Sequence, residues 1–487
     1  MNKEVLLNKI NDFTYKIPKE YDVNMNTDAI LFSNESMLST IKKDDSIQQL
    51  INMATLPGVV GNVCAMPDIH YGYGFPIGGV AAFDANEGVV SPGGVGYDIN
   101  CGVRLIKTDL LYKDVRDKIE LIINTLFKYI PAGVGSRKGS SSLKLTVSDM
   151  NEILSEGANW AIAHGYGYEK DKEVIEESGK MIGVDTSSVS EKAKERGLTQ
   201  IGTIGGGNHF IEIQVVDEIL DAPFAKRCGI HSKDQIVIMI HTGSRGTGHQ
   251  IGTDYISIMN KSLSKYKISI VDKQLALAPI ESEEGMKYIS AMRAGANFAW
   301  ANREVITDMV RKAFSEVFRK EDELLGIDVV YDIAHNIAKI EKHKVSGSER
   351  NLLVHRKGAT RAFPAGNENV AERYRDIGQP VLIPGDMGTN SYILYGLPDA
   401  MNLSFGSTCH GAGRMMSRAA ATRKFSYNDV KNKLNENGIY IRSASKEGIV
   451  EEAPGAYKNV NEVVAIAEGA GLSKISVKLR PIGVMKG

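Results

Sequence analysis

The sequence has 487 residues, 43% of them apolar and 24% charged, which excludes a disordered chain and leaves ample length for a large core. Lys and Arg total 58 against 59 Asp and Glu, so the net charge of −1 argues against a globally basic nucleic-acid binder and leaves room for a local basic patch. No apolar run reaches the roughly 18 residues of a membrane span, and the start MNKEVLLNKINDF lacks a signal-peptide core, so no membrane association and a cytoplasmic location are expected.

Residues 1–60 carry no motif. Val80–Phe83 and Val103–Ile106 read as short strands inside a glycine-dense stretch. Lys113–Ile130 has helical periodicity, and about 150–198 reads as a helical insert with Trp160 packed inside it. Strands are expected at Phe210–Val216 and Gln235–Ile240. A long helix is expected from Glu283 to Lys320, broken near Gly295. Further strands are expected at Ile327–Ile333, Leu352–His355 and Val381–Ile383, and helices at Gly411–Thr422, Tyr427–Asn437 and Asn461–Ala470. A strand closes the sequence in SVKLRPIGVMKG. No fixed-period repeat or linker divides the chain, so residues 1–487 read as one unit with a composite site.

The 49 glycines, about one residue in ten against an average of roughly 7%, cluster beside His, Asp, Asn, Ser and Arg. Such strings bring backbone N–H groups to a ligand. Asp98 and Cys101 lie three residues apart in GYDINCG, so a carboxylate and a thiolate can face one metal, and the thiolate can bridge two. His209, His241 and His335 each lie at or beside a strand-like run, where ligands are held rigidly. Softness alone favours Zn²⁺ for this mixed set; an oxygen ligand and open positions also allow Mn²⁺. Taken singly, each histidine reads more readily as a hydrogen-bonded structural residue than as a ligand. The four cysteines (Cys64, Cys101, Cys228, Cys409) are too sparse for a disulfide framework.

Three strings suit phosphate: GSRGTGH (243–249), HRKGATR (355–361) and PGDMGT (384–389). None is a Walker loop or a strand–GxGxxG–helix unit, and each also reads as a surface turn. In TCHGAGR (408–414), His410 precedes an expected helix. A neutral imidazole at a helix N-terminus, facing a bound phosphate, is a candidate nucleophile; a capping histidine is the bland alternative.

Taken together these strings resemble the RtcB family of RNA-splicing ligases. The resemblance runs from MPDIHYGYGFPIGGV (66–80) through GGVGYDINCGVR, GGGNHFIE, HTGSRGTGH, AHN, HRKGATRAFP, PGDMGT and HGAGR to the closing MKG. It implies a single family-specific α/β fold with a central active-site cleft. It implies two Mn²⁺ ions, one held by Cys101, His241 and His335 and the other by Asp98, Cys101 and His209. It implies that His410 is the nucleophile, carrying GMP covalently after reaction with GTP. The implied guanylate pocket comprises Asn208, His209, Phe210, Ile211, Glu212, His335, Asn336, Pro384, Gly385, Asp386, Met387, Ser391, His410, Gly411, Ala412, Gly413, Tyr457 and Lys486, with Asp68 at its edge. Arg245, Arg356, Lys357 and Arg361 would grip RNA phosphates. The implied reaction joins an RNA 3′-phosphate or 2′,3′-cyclic phosphate end to a 5′-hydroxyl end, in tRNA splicing or RNA repair, with an archease-type helper in many relatives. A metal-dependent RNA cyclic phosphodiesterase without ligation is the competing reading; it would need neither His410 nor Lys486.

Overall fold

A computed structural model describes residues 5–133 and 143–487. Two large sheets dominate. One has seven strands in the order Asn8–Asn11, Thr14–Ile17, Ala29–Phe32, Val59–His70, Ile77–Asp84, Ser348–Lys357, Asn336–Val345. The second runs Asp328–Ala334, Gly102–Leu111, Gln235–Thr242, Phe210–Ile219, Ser473–Lys486, Ser391–Gly396, Pro380–Ile383, with Tyr440–Ser443 added parallel to Ser473–Lys486. Its edge strands approach each other, so this sheet is nearly closed. Its central strands are apolar on both faces: Gln235–Thr242 is buried throughout.

The strands expected from sequence all form, most with longer bounds; that expected at Ile327–Ile333 is Asp328–Ala334. The expected break at Gly295 does not occur: Glu283–Phe318 is one helix of 36 residues. Gly295 sits where a Cβ would lie 3.3 Å from Ile99 and 3.4 Å from Ile251, so the glycine marks a close crossing rather than a break. The expected helix from Gly411 also fails. Residues 411–417 are irregular, and the helix is Arg418–Lys424, capped by the Ser417 side chain. His410 is therefore not at a helix N-terminus.

Within the expected insert, helices Val147–Glu156, Ala158–Ala163 and Glu191–Gly197 surround short 3-10 turns and share the main apolar core with the long helix. Trp160 is buried there, stacked on His164 at 4.6 Å. A smaller apolar cluster (Met387, Val430, Leu434, Ile441, Ile449, Val484) sits behind the 384–389 loop. Among the described residues, no helix is long and apolar enough to cross a membrane.

Candidate active site

The site grows from one end of the nearly closed sheet. Cys101 immediately precedes strand Gly102–Leu111, His209 precedes Phe210–Ile219, and His241 lies near the end of Gln235–Thr242. The register aligns Ala334 with Gly102, Val103 with His241, Phe210 with His241, and Lys486 with Phe210. Five neighbouring strands thus deliver their chemistry to one level. His335 stands at the single residue where the chain leaves this sheet for the seven-stranded one, and its N–H donates to the Cys101 carbonyl at 2.9 Å.

The five residues read as metal ligands from sequence come together. Cys101 Sγ lies 3.4 Å from His209 Nε2 and 3.3 Å from His241 Nε2, and His241 Nε2 lies 3.3 Å from His335 Nε2. Asp98 Oδ2 lies 2.8 Å from His209 Nε2. Two overlapping triads, Cys101/His241/His335 and Asp98/Cys101/His209, each have donor atoms within 4.8 Å of one another and share the thiol. His209 Nδ1 donates to the Ile204 carbonyl, which turns the Nε2 lone pair toward the thiol. Burial above all, then neighbouring charge, drives the pKa of His241 and His335 well below the ordinary value, so both are neutral donors. Burial and the adjacent Asp98 push the Cys101 thiol up, and a dication relieves both effects. Asp98 is held at about 2: burial opposes the shift, and the His209 contact and Arg245 overcome it. The donor set therefore fits a divalent pair bridged by sulfur.

A layer of buried polar contacts fixes this set. Arg303, on the long helix, donates to the carbonyls of Asn100 and Thr242 at 2.9 Å and to both oxygens of Asp332 at 2.8 Å. It thereby pins the Asp98–Cys101 loop to the strand bearing His241. Asn336 Nδ2 donates to the Asp98 carbonyl at 3.1 Å.

The cleft beside the set has a volume of about 380 Å³. Its lining includes Asp98, Cys101, His241, His335, Asn208, Phe210, Asn336, Pro384, Gly385, Asp386, Met387, His410 through Gly413, Tyr457 and Lys486. Of the expected pocket residues, His209 belongs to the metal-type set rather than the cleft lining, and Ile211, Glu212 and Ser391 lie behind this surface. Ser391 Oγ accepts from Gln214 at 2.9 Å and from the Gly385 N–H at 3.2 Å. Glu212 Oε2 accepts from Gln214 at 2.7 Å, whereas Oε1 is buried without a donor. Burial raises Glu212 to about 8, against the opposing pull of Gln214 and Lys486. Burial also raises Asp386, although its carboxylate accepts from the Gly388 N–H at 2.8 Å.

His410 faces the metal set, its ring centroid 4.9 Å from that of His335. Its Nδ1 lies 2.5 Å from Asp68 Oδ2, a charge contact poorly aligned as a hydrogen bond. The same oxygen accepts the backbone N–H groups of His410 at 2.9 Å and Gly411 at 3.2 Å. Asp68, not a helix dipole, is what governs this imidazole. Its own pKa is lowered: burial opposes the shift, and His410 and Lys458 prevail.

The expected RNA-gripping cations are placed differently. Arg356 is fully buried, bidentate to Glu341 at 2.6 and 2.8 Å. Arg361 is buried against Glu177 and Gln379. Neither faces the cleft, because each strand or loop position they occupy is covered on both sides. Lys357 lines the cleft, but its ammonium donates to the carbonyls of Tyr73, Phe75 and Gly93, and burial lowers it to about 7. Arg245 is half-buried, with Nε 3.3 Å from Thr203 Oγ1 and its charge directed toward Asp98. The guanidinium groups that line the cleft are Arg414 and Arg418, each paired with Glu452 at 2.9 Å. Arg414 stands inside the HGAGR string. His70, Tyr73, Tyr97 and Glu452 also line the cleft and carried no mark of their role beyond lying in or near glycine strings.

The family model for "tRNA-splicing ligase RtcB" matches residues 49–487. The chain belongs to the RtcB family. It is 50% identical over its full length, and theirs, to proteins named tRNA-splicing ligase RtcB from Thermococcus kodakarensis and Archaeoglobus fulgidus. It is 47% identical to one from Nanoarchaeum equitans, over 99% of this chain and all of that one. The mixed α/β architecture is that expected of an RtcB fold. The paired His/Cys/Asp triads of this RtcB family member stand at the level where its five strands converge.

Proposed function

We propose that the chain is an RNA ligase of tRNA splicing or repair, dependent on GTP and Mn²⁺, that joins 3′-phosphate or 2′,3′-cyclic phosphate ends to 5′-hydroxyl ends. The observation that carries this reading is His410. Its Nδ1 is paired with Asp68, its ring lies against a metal-type triad, and it lines a cleft shared with Lys486, Arg414 and Arg418.

With Nδ1 engaged, Nε2 is the free nucleophilic nitrogen. It attacks the α-phosphorus of GTP; a P–N bond forms and the bond to pyrophosphate breaks. Asp68 offsets the positive charge that develops on the ring. Lys486, Arg414 and Arg418 place positive charge around the phosphates. Bound metal ions would supply Lewis acidity at phosphate oxygens, held by Asp98, Cys101, His209, His241 and His335. The Asp386 carboxylate, which lines the cleft, is an acceptor suited to the N1 and N2 hydrogens of guanine. The RNA 3′-phosphate, opened from its cyclic form by hydrolysis, then takes the guanylate from His410. The 5′-hydroxyl attacks this activated end and GMP leaves. An archease-type helper and a cytoplasmic setting belong to the same reading.

The test is incubation with GTP labelled at the α-phosphate and Mn²⁺, without RNA, beside His410→Ala. An acid-labile, alkali-stable protein label that is absent from the variant is expected. No label with Mn²⁺, Zn²⁺ or Mg²⁺, with archease supplied, defeats the ligase reading in favour of the cyclic phosphodiesterase.

A further inference from the structure

Two cavities meet at one imidazole. Beside the cleft opens a second cavity of about 600 Å³, lined by Lys43, Asp44, Tyr71, Met416 and Ser417 among others. His70, Ile77, Arg414 and Arg418 line both. His70 lies at the end of strand Val59–His70, two residues from Asp68, and its Nδ1 is 3.0 Å from the Asp68 carbonyl oxygen. A carbonyl only accepts, so the proton sits on Nδ1 and Nε2 bears the lone pair. Nε2 makes no hydrogen bond within the described residues, and the residue, though largely buried, lines both cavities. The tautomer is thus fixed by the backbone of the same residue whose carboxylate holds His410.

Resting on the ligase reading above, we infer that His70 is the general base of the sealing step, receiving the proton of an RNA 5′-hydroxyl that enters through the second cavity. The hydroxyl proton passes to Nε2. The hydroxyl oxygen forms a bond to the phosphorus of the guanylylated 3′ end. The bond from that phosphorus to the bridging oxygen breaks, and GMP departs with the electron pair. The imidazolium then releases its proton to water. Position favours His70 over His410 for this role: His410 borders the metal set, whereas His70 stands where the two cavities adjoin. Arg414 and Arg418, present in both cavities, supply charge for its phosphates. Burial keeps the free imidazole neutral, at about 4, against the opposing hydrogen bond to Asp68. The phosphates of two RNA ends raise its basicity when they enter, since anions favour the imidazolium.

The experiment compares the full chain with His70→Asn, in Mn²⁺ and GTP, on one RNA with a 3′-phosphate and one with a 5′-hydroxyl. Asparagine keeps an N–H for the Asp68 carbonyl and removes the base. Sealing is expected to fall about 10²- to 10⁴-fold more than guanylylation of the protein does, with the guanylylated 3′ end accumulating. An RNA with a 5′-thiol, which ionises without help, is expected to shrink that deficit to within about tenfold. Sealing that falls no further than guanylylation overturns the role, as does an equal deficit with thiol and hydroxyl. Guanylylation of the variant is its own folding control; should it fail, His70→Gln gives the same ratio. A wild-type protein that never takes the label sinks the ligase reading and this role with it. Normal labelling with undiminished sealing in the variant sinks this role alone.

Discussion

Arg356 donates to both oxygens of Glu341, to Ser407 Oγ and to the Phe405 carbonyl, and none of it reaches water. Arg418 has half of its side chain exposed at the cleft and a single carboxylate partner at close range. Formal charge does not separate these two residues; surroundings do. Replacing Arg356 with Met leaves Glu341 with His343 alone inside the core, which is expected to cost about 3–5 kcal/mol in urea unfolding. The salt dependence of RNA affinity should stay as it was. Arg418→Gln is expected to do the reverse: little loss of stability, and a slope of log affinity against log salt reduced by about one. A fall in that slope for Arg356→Met would contradict its placement. The metal-type ligands were legible in the sequence because their residue types are rare and their strings distinctive. The cations were not, because strand Ser348–Lys357 is buried on both faces over its second half and shows no alternation to tell inside from outside.

At the scale of elements, the close meeting of strand Val59–His70 with the 410–413 loop decides the geometry at His410. Gly413 has φ +74°, and a Cβ there would lie 2.2 Å from the Asp68 carbonyl oxygen. Lys458 completes the clasp: its backbone N–H donates to the Gly413 carbonyl at 2.9 Å, and its buried ammonium donates to the carbonyls on either side of Asp68. Gly413→Ala must displace Asp68 from His410. Guanylylation is expected to fall by at least about 10²-fold, in line with the cost of misplacing a reacting group by roughly 1 Å, while the protein remains folded. Retained labelling would show that the clasp is dispensable. This loop is where sequence periodicity misled. Residues 411–422 contain good helix formers, yet Arg414 is drawn to Glu452 and the Glu451 carbonyl, and those contacts hold residues 411–417 out of a helix. Gly295 misled in the other direction, because glycine's permissiveness was read where its smallness mattered.

Across the whole molecule, the site is a product of long-range pairing. The strands that align at its level begin at residues 102, 210, 235, 328 and 473; those at 210 and 235 pair as sequence neighbours, and the other pairings join distant parts of the chain. Periodicity marks such strands and does not give their order, so the architecture had to come from the family resemblance. Because the donors converge only in the folded state, Mn²⁺ is expected to stabilise it by about 2.7 kcal/mol at a hundred times its dissociation constant. A rise in Tm with Mn²⁺, reversed by a chelator and much reduced in Cys101→Ser, is the expected result. An equal rise in that variant would place the ion elsewhere. The donors also lie far apart in translation, from Asp98 to His335. A fragment that ends before residue 335 lacks at least one of them, and a molecule whose central strands have paired in the wrong order cannot gather them at one level. A metal ion held by all five donors would therefore count correctly threaded molecules, which would make metal content a measure of the yield of refolding.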